Sequence, residues 1–161
     1  MHDLGKGTTP ADVLPRHIGH EQRSVALAAA VARRLRVPTD CAELAAVVAA
    51  EHGNIHRCLG FGAEATLRLL QRCDALRRPE RFAQALQAAK PITAVVAAIF
   101  RSTLPQRARL LAALAAAQRV DAGAIAQRVT KSGGKPAAIA QALQVAREQA
   151  LVSVLAQEEE G

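Results

Sequence analysis

Alanine sets the tightest limit on what this chain can fold into. Runs such as "VALAAAVARRL", "ELAAVVAA" and "LLAALAAAQ" are built on the best helix former. Alternating valine-rich stretches of the kind that make half-buried strands are few. Only Phe61, Phe82 and Phe100 are aromatic. The expectation is an all-α protein with closely packed helices. Its 161 residues are enough for one domain with a substantial core.

Prolines and glycines punctuate the helices. Pro10, in Thr9-Pro10-Ala11-Asp12, reads as the first position of a short helix, and Pro15 closes the loop behind it. Val25, Leu27, Val31 and Leu35 fit an amphipathic helix over Ile18 to Val37, stopped by Pro38. Asp40 and Glu43 read as a capping box for a helix that runs to about His52 and ends at Gly53. Gly60 to Gly62 reads as a loop. Leu67, Leu69, Leu70 and Leu76 mark a further helix up to Arg78, and Pro79 starts another through Phe82 and Leu86. "KPITAVVAAIFRSTL", from Lys90 to Leu104, is β-branched, nearly uncharged and without helical period. Helical character returns at Pro105. A short segment from Asp121 to Val129 leads into "TKSGGKP", and a last helix runs from Pro136 to about Gln157, before Glu158 to Glu160.

The formal net charge is +7, and only Lys6, Lys90, Lys131 and Lys135 among the 21 basic residues are lysines. Such a balance suits an anionic partner, RNA or a phosphorylated substrate. It equally suits a GC-rich genome, whose codons favour arginine and alanine together. With so few aromatic rings, RNA contact would rest on charge and not on stacking. Cys41, Cys58 and Cys73 form no CxxC pair, which argues against a zinc knuckle and for reduced thiols. The longest apolar run, Ala94 to Phe100, is too short to cross a bilayer, and the start has no signal-peptide pattern. Cytoplasm is the expected compartment. No GxSxG, Walker A or GxGxxG signature occurs. "SGGKP" could offer backbone N–H groups and Lys135 to a phosphate, or be a plain turn before Pro136.

All five histidines, His2, His17, His20, His52 and His56, fall in the first 56 residues. Imidazole with carboxylate is a ligand set for Mn²⁺, Fe²⁺, Ni²⁺ or Zn²⁺. His2 and Asp3 are neighbours, roughly 100° apart if helical, and so reach one point only near the edge of that helix. Lys6 follows a glycine and could meet a phosphate oxygen. Each residue also has a plain structural reading. His17 and His20 can cap or pack, and His52 before Gly53 can be a cation at a helix C-terminus.

The stretches "HDLGKGTTPADVLPRHIGHE", "LRVP", "EHGNIHR" and "RLLQRCDALRRPERF" strongly resemble the C-terminal HD domain of the bacterial CCA-adding enzymes, the tRNA nucleotidyltransferases also called multifunctional CCA proteins. The similarity runs from His2 to about Ala88 and again from Pro105 onward. It implies an N-terminally truncated, all-α HD-type bundle. The implied activity is that of a metal-dependent 2′,3′-cyclic phosphodiesterase, 2′-nucleotidase and phosphatase acting near RNA 3′ ends. On this resemblance His2 and Asp3 fall on the HD ligand pair, with Asp3 also catalytic. Lys6 falls on the HDxGK lysine, as a catalytic and phosphate-binding group. His20 and His52 fall on further metal ligands or substrate contacts, and Arg16 and His17 on an RNA- or phosphate-binding loop. The implied cofactor is Mg²⁺ or Ni²⁺, and the implied partner a tRNA 3′ end or phosphorylated nucleotide.

The sequence departs from the family in three places. The nucleotidyltransferase head, with its Gly-Ser signature and Asp-x-Asp, has no counterpart here, so the chain alone is not expected to add CCA. An upstream histidine ligand is also missing. Where the family has a "CEADHRGR"-like run, whose aspartate is the last ligand, this chain has Ile92. Codons allowed for Ala89 to Leu104, read two bases on, give Glu-Ala-Asp-His-Arg-Gly-Arg, which suggests a compensated frameshift. The expected organisation is an HD-type region over 1–88, an aberrant segment over 89–104, and a C-terminal helical region of the same domain over 105–161. Impaired hydrolysis follows as an expectation. The competing readings are a catalytically silent module that touches tRNA or forms a homodimer, and a pseudogene product.

Overall fold

A computed structural model of the chain describes residues 2–89 and 105–159, with side chains to Ala156. The β-branched segment over 90–104, Ile92 and the suggested frameshift included, lies outside the described residues. Among those residues there are seven α-helices and no strand, as the alanine content requires. They are α1 (His20–Arg34), α2 (Thr39–Arg57), α3 (Ala63–Arg72), α4 (Pro79–Ala88), α5 (Pro105–Gln118), α6 (Ala122–Lys131) and α7 (Pro136–Glu159). Two 3₁₀ turns, Leu4–Thr8 and Cys58–Gly60, complete the set.

Helix starts follow the prolines. Pro79, Pro105 and Pro136 each take the first helical position, where a missing N–H costs nothing. Pro10 does not, and residues 11–16 form turns instead of a short helix. Asp40 is not a cap either. The Ala42 N–H donates to Pro38 O at 3.0 Å, so Pro38 opens α2 and Asp40 falls inside its first turn. Glu43, freed from a capping role, pairs with Arg81 of α4. α1 begins at His20, two residues later than the apolar pattern suggests, after Gly19 at φ +74°.

Helix ends are less regular. α2 runs through Gly53 to Arg57, beyond the expected stop. α1, α3 and α6 close alike. In each, one N–H reaches the carbonyl five residues back: Val37 to Ala32 at 2.9 Å, Ala75 to Leu70 at 2.9 Å and Gly134 to Val129 at 2.9 Å. The left-handed residue this closure needs is Arg36, Asp74 and Gly133, respectively. Asp74 at φ 53° therefore ends α3 well before Arg78.

The described residues fall into two compact units, one from 2–57 and 80–89, the other from 58–79 and 105–159. In the first, α1 packs on α2 and on the 3₁₀ turn Leu4–Thr8. Ser24, Ala28, Ala32, Val48 and Ala49 are small buried residues that let the two helices approach closely, while Ile55, Phe82 and Leu86 supply larger buried side chains. In the second, α7 is the spine against which α3, α5 and α6 pack. Leu67, Leu69, Leu70, Leu110 and Leu151 are fully buried there, each contributing about 1.5–3 kcal/mol of apolar burial. No helix among the described residues is long and apolar enough to cross a membrane.

Candidate metal centre

The first unit brings the start of the chain against the first turn of α1. Directly after Asp3 the backbone winds into its 3₁₀ turn, with Lys6 N–H donating to Asp3 O at 3.0 Å. Gly5 is the contact point. Its N–H donates to Ser24 Oγ at 2.9 Å, and a Cβ there would stand 2.2 Å from His20 O and 2.7 Å from Ser24 N. Only glycine permits that approach. Arg23 bonds the same turn from α1, its Nε donating to Gly5 O at 3.1 Å. Asp3 is thereby held beside His20, the first residue of α1. α2, packed on α1, brings His52 to the same point with 5% of its surface exposed.

Three atoms converge there. Asp3 Oδ1 is 3.4 Å from His20 Nε2 and 3.5 Å from His52 Nε2, and the two imidazole nitrogens are 3.4 Å apart. Both rings are fixed from behind. His20 Nδ1 faces His17 O at 3.0 Å and Glu21 Oε2 at 3.4 Å, all acceptors, so Nδ1 carries the proton and donates. His52 Nδ1 faces the carbonyls of Val48 and Ala49, each at 3.2 Å, with the same result. In its neutral form each ring therefore aims an Nε2 lone pair at the carboxylate oxygen. Asp3 Oδ1 is itself buried and accepts no hydrogen bond. Three acceptors facing one another are repulsive unless a proton or a metal cation lies among them.

The donor set fits a metal ion. Ligands bonded at about 2.0–2.2 Å at roughly tetrahedral angles lie about 3.4 Å apart, the spacing of this triangle. Imidazole N–H groups given to backbone carbonyls are the usual outer support of histidine ligands. Asp3, His20 and His52 are the group among the described residues able to hold a metal ion in this way.

The other Asp3 oxygen has different neighbours. Oδ2 accepts from Lys6 Nζ at 3.0 Å and lies 3.5 Å from His2 Nε2. The ring of His2 packs on that of His52, centroids 4.8 Å apart. Burial tends to raise the Asp3 pKa, but the Lys6 hydrogen bond, the Lys6 charge and the neighbouring imidazoles of His2 and His52 outweigh it and hold the carboxyl below its ordinary value. Burial lowers the His2 pKa, against the opposing pull of Asp3, and so favours the neutral ring. His2 thus borders the triangle through Oδ2, whereas His20 and His52 meet Oδ1.

His17 and Arg16 belong to the neighbouring loop. His17, at φ 53°, brings Nδ1 to 2.8 Å from Thr9 Oγ1, and Arg16 is exposed. His56 leaves the group, its Nε2 bonded to Ala89 O at 2.5 Å. Gly5, Thr9, Arg23 and Ser24 were not singled out by sequence, although they hold the site together. Their one signal is proximity to "HDLGKG" and "GHE", since none carries a ligand atom of its own to the triangle.

Curated proteins named multifunctional CCA protein match this chain closely. That of Ralstonia nicotianae is 56% identical over 151 residues, covering 94% of this chain and 34% of its own length. That of Cupriavidus necator is 64% identical over 127 residues, covering 79% of this chain and 31% of its own. That of Burkholderia mallei is 54% identical over 154 residues, covering 96% and 37%. The resemblance read from the motifs is therefore shown, and the chain spans about a third of the length of the curated relatives it matches. No family model matches the chain, and no solved structure does.

Proposed function

Starting from a chain homologous to about a third of the multifunctional CCA protein, we propose that it supplies the divalent-cation-dependent phosphohydrolase part of such a protein. Its substrates would be phosphoesters of the kind found at RNA 3′ ends: 2′,3′-cyclic phosphates, 2′-phosphates and terminal phosphates. One observation carries this reading. Asp3 Oδ1, His20 Nε2 and His52 Nε2 face one another at 3.4–3.5 Å with no donor between them.

Asp3, His20 and His52 would hold the cation, with Mg²⁺ and Ni²⁺ the ions the resemblance implies. When bound, a divalent cation supplies Lewis-acid chemistry, activating water and neutralising charge on a phosphoryl oxygen. The chain's own residues do the rest. Lys6, exposed at the edge of the site and bound to Asp3 Oδ2, is a cation that can turn to a phosphate oxygen of the substrate. His2 packs on the ring of His52 from the side of Asp3 Oδ2. Arg16 and His17 would meet the RNA from the adjoining loop.

The test is release of phosphate or opening of the ring from 2′,3′-cyclic nucleotides, with Mg²⁺ or Ni²⁺ added. Hydrolysis should be slow, because Ile92 stands where the resemblance places a further aspartate, and Ile92→Asp should speed it. Asp3→Ala should abolish it in both backgrounds. Metal-dependent hydrolysis that survives Asp3→Ala would refute the assignment.

A further inference from the structure

Arg23 carries no ligand atom, yet it ties together the turn that follows Asp3 and both ends of the loop before α1. Its three kinds of nitrogen reach three different segments. Nε donates to Gly5 O at 3.1 Å, in the turn that follows Asp3 and contains Lys6. Nη1 donates to Ile18 O at 3.0 Å, at the end of the loop. Nη2 donates to Thr9 Oγ1 at 3.0 Å, where the turn passes into the loop. A planar fork makes these three bonds at once, whereas a lysine ammonium has its donors on a single atom.

The Thr9 hydroxyl extends the tie to His17. A hydroxyl has one proton to give and two lone pairs. Thr9 Oγ1 has three partners: Arg23 Nη2, which can only donate, Lys6 O at 2.9 Å, which can only accept, and His17 Nδ1 at 2.8 Å, which can do either. All three are satisfied only if the hydroxyl donates to Lys6 O. His17 Nδ1 must then carry a proton and donate to Thr9, which leaves Nε2 as the acceptor of the neutral ring.

We propose that Arg23 is a positioning residue of the cation site: it locks the turn bearing Asp3 and Lys6 against the start of α1 bearing His20, and it holds Thr9 Oγ1 within reach of His17 Nδ1, where the hydroxyl's bond to Lys6 O fixes the His17 proton on Nδ1. The first half rests on the cation-site reading above. The second does not depend on it.

The experiment uses the full chain and two readouts. Co²⁺ is titrated by calorimetry, and the histidine tautomers are read by long-range ¹H–¹⁵N NMR at about pH 8, where ordinary imidazoles are neutral. In the wild type, His17 should show the Nδ1–H pattern. Arg23→Lys, shown to be folded by circular dichroism, should lose that pattern and bind Co²⁺ about tenfold more weakly or worse, the usual effect of removing outer support from a metal site. Thr9→Val should lose the His17 pattern with a smaller effect on Co²⁺, and Thr9→Ser should keep both. A folded Arg23→Lys protein with the wild-type Co²⁺ affinity and the Nδ1–H pattern overturns the proposal. Should Arg23→Lys fail to fold, Thr9→Val decides, and an unchanged His17 pattern there overturns it. Failure of the wild type to bind Co²⁺ refutes the cation site instead, and the tautomer readout still judges Arg23.

Discussion

Gly5 shows how much one residue without a side chain can decide. A Cβ at this position would stand 2.2 Å from His20 O. Gly5→Ala must therefore push the turn away from α1 and carry Asp3 away from His20 and His52. The expected outcome is a fall in Co²⁺ affinity of about tenfold or more, with helical content retained, read by calorimetry and circular dichroism. Protonation acts at the same scale. Asp3 is held below the ordinary carboxyl range, so it stays ionised well into acid. Its folded-state pKa is depressed, so its stabilising contribution is complete above the unfolded value and is lost only as pH falls through the folded value. Asp3, His20 and His52 were visible in sequence through the resemblance of "HDLGKGTTPADVLPRHIGHE" and "EHGNIHR", which the His-Asp pair alone would not have carried. Arg23, Thr9 and Ser24 were not, because a hydrogen bond between residues 14 to 19 positions apart leaves no local pattern.

Among the helices, starts were legible and ends were not, for one physical reason. Proline at the first position announces itself, as at Pro79, Pro105 and Pro136. The closing residue has to be left-handed, and glycine announces that only at Gly133 of "SGG". Arg36 and Asp74 do the same work at a steric cost that their residue types conceal. Arg36→Gly should relieve it and raise stability by about 0.5–1 kcal/mol in urea unfolding, the αL relief exceeding the entropy that glycine adds to the unfolded chain. Gly53 misled in the opposite sense, lying inside α2. A Cβ there would meet only side-chain ends, Glu21 Oε1 at 3.4 Å and Arg57 Nη2 at 3.9 Å. In the second unit, Leu151 is fully buried on α7, against which three other helices pack. Leu151→Ala should cost about 2–5 kcal/mol by the same measurement, as large-to-small changes at fully buried leucines do.

For the molecule as a whole, alanine content accounts for the fold class, and the family resemblance of the quoted motifs agrees with relatives at 54–64% identity. The division into two compact units had no such signature, because no long linker separates them and both draw on segments distant in sequence. The net charge of +7 also belongs to the whole chain. Any binding to tRNA should weaken steeply as salt rises, because three phenylalanines cannot supply a stacking surface. A filter-binding titration across about 50–200 mM salt checks this, and an affinity indifferent to salt would contradict it. The most direct test of the account is a calorimetric count of cations bound per chain. The wild type should bind one Co²⁺ with a defined end point, and Asp3→Asn, His20→Ala and His52→Ala should each lose it while remaining folded. Binding that does not saturate, or that persists unchanged in Asp3→Asn, would contradict the claim that these three residues form a metal centre.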